Sequence, residues 1–297
     1  MPCIDSRPSG MAGRACASRA SRAPRSPLAQ RLAATALALN AACVVAEPGP
    51  PVPTTAPAAA PAAAAQNVVA GAQSDAAPGL RAHAIVYRAA FKGMGAGSLE
   101  LTLRHETAPD TWVYETRAYP SFLASFVINP RSRERSAFGL DAAGRVAPHH
   151  YRLDDGTPEH RDDVELSYDR THGRVTGRAR GTAFELPLEP GTQDAMSIRL
   201  AVSVDLLAGR DPADYPMIDG SELKHFVYRR VGHERIHTAL GQLDTVVYTS
   251  ERHGAGPRDR TWRYWYAPAL DWLPVRIEQR EDGRARFEFE LRSLKWL

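Results

Sequence analysis

From residue 80 to the end of the chain, apolar side chains recur at every second position, and this period constrains the fold more than any motif. Ile85, Tyr87, Ala89 and Phe91 alternate with Val86, Arg88, Ala90 and Lys92; after a glycine-rich stretch at 93–97, Leu99, Leu101 and Leu103 alternate with Glu100, Thr102 and Arg104. Successive side chains on an extended strand point to opposite faces, so these segments read as a half-buried hairpin. The pattern returns at Trp112 and Tyr114, Ser136 and Phe138, Val164 and Leu166, Phe184 and Leu186, and Phe226 and Tyr228. It continues at Val247 and Thr249, at Trp262, Tyr264 and Tyr266, at Val275 and Ile277, and at Phe287, Phe289 and Leu291. Turn signals at 141–144, 154–156, 172–173 and 282–283 separate these runs.

Two segments break the period. Residues 192–208 (TQDAMSIRLAVSVDLLA) begin with a threonine suited to capping and place Met196, Leu200, Val204 and Leu207 on one stripe, which predicts a helix. Residues 120–128 (PSFLASFVI) put Phe122, Leu123, Phe126 and Val127 on one side of a short helix. A twisted sheet of many strands curls to remove its edges, and an amphipathic helix fills the concave side. The expected fold is mainly β: an antiparallel meander of about a dozen strands forming an open or half-closed barrel around one amphipathic helix.

The first 79 residues are of another kind. An arginine-rich start leads into the apolar run 32–45 (LAATALALNAACVV), with Val44 and Ala46 supplying the small residues of a secretory cleavage site. Residues 1–46 therefore read as a signal peptide, with Met1 and Met11 both possible starts. A lipoprotein signal with Cys43 as the modified residue competes, although Asn40 stands where that signal wants an aliphatic side chain. The run is short of the ~20 apolar residues of a membrane span. Residues 47–79, rich in Pro and Ala, cannot bury enough surface to offset the entropy of folding and read as a disordered linker. All three cysteines (Cys3, Cys16 and Cys43) lie before residue 80, which removes disulfides and cysteine chemistry from 80–297. Six arginines and three acids also precede residue 80, leaving 31 basic and 31 acidic residues in the domain. The +3 net charge thus belongs to the first 79 residues. A neutral exported domain lacks the electrostatic footprint of nucleic-acid binding, so no nucleic acid is expected as a partner.

Several chemistries can be weighed. His233-Glu234-Arg235-Ile236-His237 matches H-E-x-x-H, in which a helix aims two imidazoles at one zinc while the glutamate activates water. Here the flanking Gly232, Ile236, Thr238 and Gly241 favour strand. On a strand the histidines stand ~13 Å apart, too far for one zinc. His149-His150 would point to opposite faces of a strand. Asp154, Asp155, Glu159, Asp162 and Asp163 lack calcium-loop spacing and read as a solvated hairpin end. No serine-elbow, dinucleotide or P-loop motif occurs, and no cofactor is implied. Trp262, Tyr264 and Tyr266 are either core aromatics or the wall of a ligand cavity. Phe122, Leu123, Phe126 and Val127 are either a plug closing one end of the barrel or a lid touching a lipid chain.

The residues Tyr87 to Gly97 (YRAAFKGMGAG), Arg133 to Ser136 with Asp141, Gly144, Pro148 and Tyr151, Gln193-Asp194 with Ser197, Gly241 with Asp244, and Leu273-Pro-Val-Arg-Ile277 resemble the exported bacterial family called domain of unknown function 3108. The resemblance spans nearly all of 80–297 and implies a periplasmic protein with no transferable activity. More distantly, the expected architecture is similar to the half-barrels of periplasmic lipoprotein carriers. Three readings follow: a non-enzymatic envelope protein binding an apolar or amphipathic ligand such as a lipid or lipoprotein acyl chain; a zinc hydrolase through His233, Glu234 and His237; or an envelope scaffold with no small ligand. Membrane contact is expected only if Cys43 is lipidated or the signal stays uncleaved.

Overall fold

The computed structural model describes residues 79–107, 110–126, 128–254 and 260–297. The leader, Cys43, the linker to residue 78 and Val127 lie outside them, and the Phe126 side chain is likewise not described. The alternation resolves into fourteen strands. The first eight are β1 (His83–Phe91), β2 (Met94–Glu106), β3 (Thr111–Pro120), β4 (Arg133–Leu140), β5 (Val146–Asp154), β6 (Val164–Asp169), β7 (Arg174–Ala179) and β8 (Thr182–Pro187). After the helix α1 (Ser197–Leu207) come β9 (Asp214–Asp219), β10 (Glu222–Thr238), β11 (Gly241–Arg252), β12 (Thr261–Ala267), β13 (Leu273–Glu281) and β14 (Arg284–Trp296).

All fourteen belong to one antiparallel sheet, in which β1 joins the two meanders by pairing with both β2 and β14. The order runs from β8 at one edge to β9 at the other, and the two edges are not paired with each other. Tight turns with two successive positive φ angles, Lys92-Gly93, Arg180-Gly181 and Asp282-Gly283, match the strand twist. Bulges at Val86/Tyr87, Ala89/Ala90, Ala137/Phe138, Arg230/Gly232, Trp265/Tyr266 and Gln279/Arg280 add the local bending that curls the sheet.

The sheet curls around α1. Inward positions Ile85, Tyr87, Leu101, Leu103, Tyr114, Phe138, Tyr151, Leu166, Tyr248, Tyr266, Ile277 and Leu291 are buried. The helix is buried on every side, including Ser197, Arg199, Val202 and Ser203 as well as the expected stripe members Leu200 and Val204. It is therefore enclosed rather than amphipathic, as a helix without a wet face must be. It is also shorter at its start than the sequence suggests, because Gln193 bonds in parallel to β9 through Pro216 O and Ile218 N and leaves Thr192 to Gln193 extended. Asp194 then opens the helix: its carboxylate accepts the N–H groups of Met196 (2.9 Å) and Ser197 (2.7 Å). Gly209, at φ +70°, closes it with a bond to Leu206 O.

Candidate functional site

The barrel interior holds the first set of candidates. Trp262, Tyr264 and Tyr266 are buried on β12, with centroids 6.3 Å and 5.8 Å apart along the row, and Tyr264 lies 5.8 Å from Tyr228 on β10. They form an aromatic wall, and none of them borders the interior cavity. That cavity, lined by Tyr87, Leu99, Arg199, Leu200, Ile277 and Phe289 among others, measures about 10 Å³, room for about one water. Ligand cavities run to hundreds of Å³. The expectation of an open apolar cavity inside the barrel is thus corrected: α1 fills the space an acyl chain would need.

The interior is nevertheless polar at its centre. Arg199 on α1 is 7% exposed, and its Nη2 has no hydrogen-bond partner. Its charge acts on Tyr87, Tyr114, Tyr151, Tyr228, Tyr264 and Glu134. Glu134 is 1% exposed and accepts the Tyr151 hydroxyl at 2.7 Å. Burial pushes its carboxyl up to about 7, against the opposing pull of Arg199 and the Tyr151 bond. Asp194 is raised by burial as well, and it accepts the Ser136 hydroxyl at 2.7 Å. Gln193 Nε2 donates to Val146 O at 2.9 Å. Sequence reasoning missed Arg199 and Glu134 as a centre, although a lone arginine in an apolar helical run was the available signal. The residues that carry the family resemblance meet here: Ser136, Tyr151, Gln193, Asp194 and Ser197 pin the helix into the sheet.

The second set lies at the end of the barrel where β1 turns into β2 and β3 leaves for β4. Phe122 and Leu123 are 78% and 77% exposed, so these two side chains do not plug the barrel. The expected short helix is one 3-10 turn, Ala124–Phe126. Ser121 and Ser125 hydroxyls bond locally, to Gly95 O and Phe122 O, and Asn129-Pro130 end the segment. Three residues per turn leave Phe122 and Leu123 ahead of the turn instead of on an inward face. Met94, 66% exposed, opens β2 at the same end: Ser121 N–H bonds to Ala96 O at 2.9 Å, tying the β3–β4 connection to the start of β2. Gly97 allows the approach. A Cβ there would lie 2.2 Å from Tyr119 O, and its φ of +123° suits only glycine.

The H-E-x-x-H match lies wholly in β10, in register with β11 from His233↔Val246 to His237↔Gln242. The two imidazoles therefore do not converge. Glu234 takes the Trp265 indole N–H at 2.8 Å and pairs with Arg263, while His233 and His237 lie beside Arg230 and Gln242. This geometry does not build the zinc centre that the motif needs. His149 sits at the β4–β5 bulge, and His150 lies 3.1 Å from Glu165. Asp154, Asp155, His160 and Asp163 gather in the β5–β6 connection, with their donor atoms within 4.8 Å of one another. Their carboxylates already receive the N–H groups of Gly156, Thr157, Asp162 and Asp155, so the loop uses them to fold itself.

A family model described as "Protein of unknown function (DUF3108)" matches residues 86–290. Among solved structures, the chain is similar to a beta-barrel-like protein of the domain of unknown function DUF1849 from Brucella abortus, at 12% identity and TM-score 0.46, covering 74% of this chain and 99% of that one. It is also similar to a candidate exported protein with a YmcC-like fold from Bacteroides fragilis NCTC 9343 and to a candidate lipoprotein from Parabacteroides distasonis ATCC 8503. Each of these shows 12% identity and TM-score 0.29, over 73% of this chain and 97% of the other. No curated protein matches the sequence significantly.

Proposed function

Because the chain belongs to the DUF3108 family, whose description states no activity, its function has to be read from its own residues, and we propose that it is an exported, non-catalytic envelope protein that binds an apolar or amphipathic ligand such as a lipid. The leader at 1–46 supports export to the periplasm. One observation carries the binding reading. Met94, 66% exposed, and Phe122 and Leu123, 78% and 77% exposed, lie at one end of the barrel, where the β3–β4 connection is hydrogen-bonded to the start of β2. Burying side chains of this size gains about 1.5–3 kcal/mol each, so a group left in water marks a contact surface. The filled interior favours contact at this lip over a ligand held inside.

The test is binding of the full chain to micelles of a neutral detergent, dodecylmaltoside, compared with its Phe122→Ser/Leu123→Ser variant. Losing two such side chains is expected to weaken binding by at least about 10-fold without changing thermal stability. Equal binding by the two proteins would overturn the reading.

A further inference from the structure

We propose that the lip docks on the surface of an anionic phospholipid bilayer, an inference that rests on the apolar reading above and adds the chemistry of the partner. The observation that carries it is a set of cations around the apolar tip. Lys92 lies in the β1–β2 turn, Arg131 and Arg133 close the β3–β4 connection, and Arg117 stands three residues before Pro120 on β3. All four are exposed. None of them has an ion-pair partner among the described residues, although most other arginines of the domain do.

The arrangement is poor for stability alone. Arg117 and Arg133 are directly opposite in the β3–β4 register, and like charges set across a strand pair are destabilising. Arg133 is held at the lip by bonds from its Nη1 to Pro130 O (3.0 Å) and Ser132 O (2.8 Å), which leave its charge unneutralised. The connection at 121–133 contains no acidic residue. Acids stand across the strand pairs from both arginines without closing to an ion pair with them: Glu100, opposite Arg117, receives the Tyr119 hydroxyl, and Asp154, opposite Arg133, receives Gly156 N–H and pairs with Arg152, while the charge of Arg117 also acts on Glu115. Asp155 is buried and holds Thr157 and Asp162 N–H.

Exposed Phe, Leu and Met flanked by lysine and arginine match an interface. The apolar tip enters the boundary between headgroup and acyl chain while the cations meet lipid phosphates. A neutral apolar pocket in another protein would leave four cations without partners, and a soluble anion would leave the apolar tip in water. An anionic bilayer surface satisfies both halves at once. The contact would operate without lipidation at Cys43.

The experiment measures sedimentation of the full chain with vesicles of phosphatidylcholine alone and of phosphatidylcholine mixed with phosphatidylglycerol. Because every protein carries the same leader, differences between variants report the lip. Each removed cation is expected to cost about 5-fold in affinity for the anionic vesicles. Arg117→Gln/Arg131→Gln, which leaves the Arg133 loop bonds in place, should therefore bind mixed vesicles about 25-fold more weakly while keeping its affinity for pure phosphatidylcholine. Lys92→Gln, in a solvent-exposed turn, is the second variant and should lose about 5-fold. Charge variants that bind mixed vesicles within twofold of the parent overturn the inference. So does an equal loss on both kinds of vesicle. If the charge variants behave as expected but Phe122→Ser/Leu123→Ser leaves micelle binding unchanged, the apolar reading fails separately.

Discussion

Glu134 offers a quantitative test of the enclosed architecture. Its carboxyl is buried beside Arg199 and titrates near 7, against an ordinary value of 4.5. Between those values the unfolded chain has released a proton that the folded protein keeps. The folded state thus binds more protons, and stability falls as pH rises through this window. At 1.36 kcal/mol per unit, the group makes the protein about 3 kcal/mol less stable at pH 8 than at pH 4.5. Asp194, raised by burial too, acts in the same direction. Glu134→Gln removes the proton while preserving the bond from Tyr151. It leaves an amide without an acceptor, a pH-independent cost of about 1–3 kcal/mol. The readout is accordingly the slope and not the absolute stability. Urea unfolding at pH 5 and pH 8 should show the gap between the two pH values shrinking by about 2.5 kcal/mol in the variant. A variant with the parent's pH dependence would refute the claim that enclosure in the fold raises the Glu134 carboxyl.

Other expectations concern packing and the motif that proved structural. Leu200→Ala, on the enclosed helix at 2% exposure, should cost about 3–5 kcal/mol in denaturant unfolding, far more than a helix with a wet face would lose. Gly97→Ala forces a methyl into the Tyr119 carbonyl and should lower the melting temperature while exposing the lip loops to proteolysis. His233→Ala with His237→Ala should change stability by no more than about 0.5 kcal/mol, and the parent should bind zinc no better than the double variant in equilibrium dialysis. Glu234→Gln is expected to cost no more than about 1 kcal/mol, because the pair with Arg263 is solvent-exposed and the amide oxygen can still accept the Trp265 N–H.

The alternation at Tyr87, Leu101, Tyr114, Leu166, Tyr264 and Phe289 was enough to read an antiparallel meander, and each of these side chains is buried. Three strands escaped it for local reasons. β5 opens Val-Ala-Pro and carries a bulge at His149, β7 contains Gly177 and one large apolar residue, and β9 is six residues long with Pro216 inside it. The apolar stripe of 192–208 was visible, but its enclosure was not, because burying Arg199 and Ser203 depends on strands distant in sequence. Of the candidate surface, Phe122 and Leu123 were legible as apolar residues in an irregular segment. Their exposure depends on the bond between Ser121 and Ala96, and their association with Met94 and Lys92 follows from a strand register that no local pattern encodes.

The lip can be tested most directly by placing an environment-sensitive fluorophore on a cysteine introduced at Leu123, in the full chain with Cys3, Cys16 and Cys43 replaced by serine. The control is the same label at Leu240, an exposed apolar position in the β10–β11 turn at the opposite end of the barrel. On adding vesicles that contain phosphatidylglycerol, the label at 123 should shift to the blue and the label at 240 should not. A label at 123 that stays in water while the protein is bound, or equal shifts at both positions, would contradict the account.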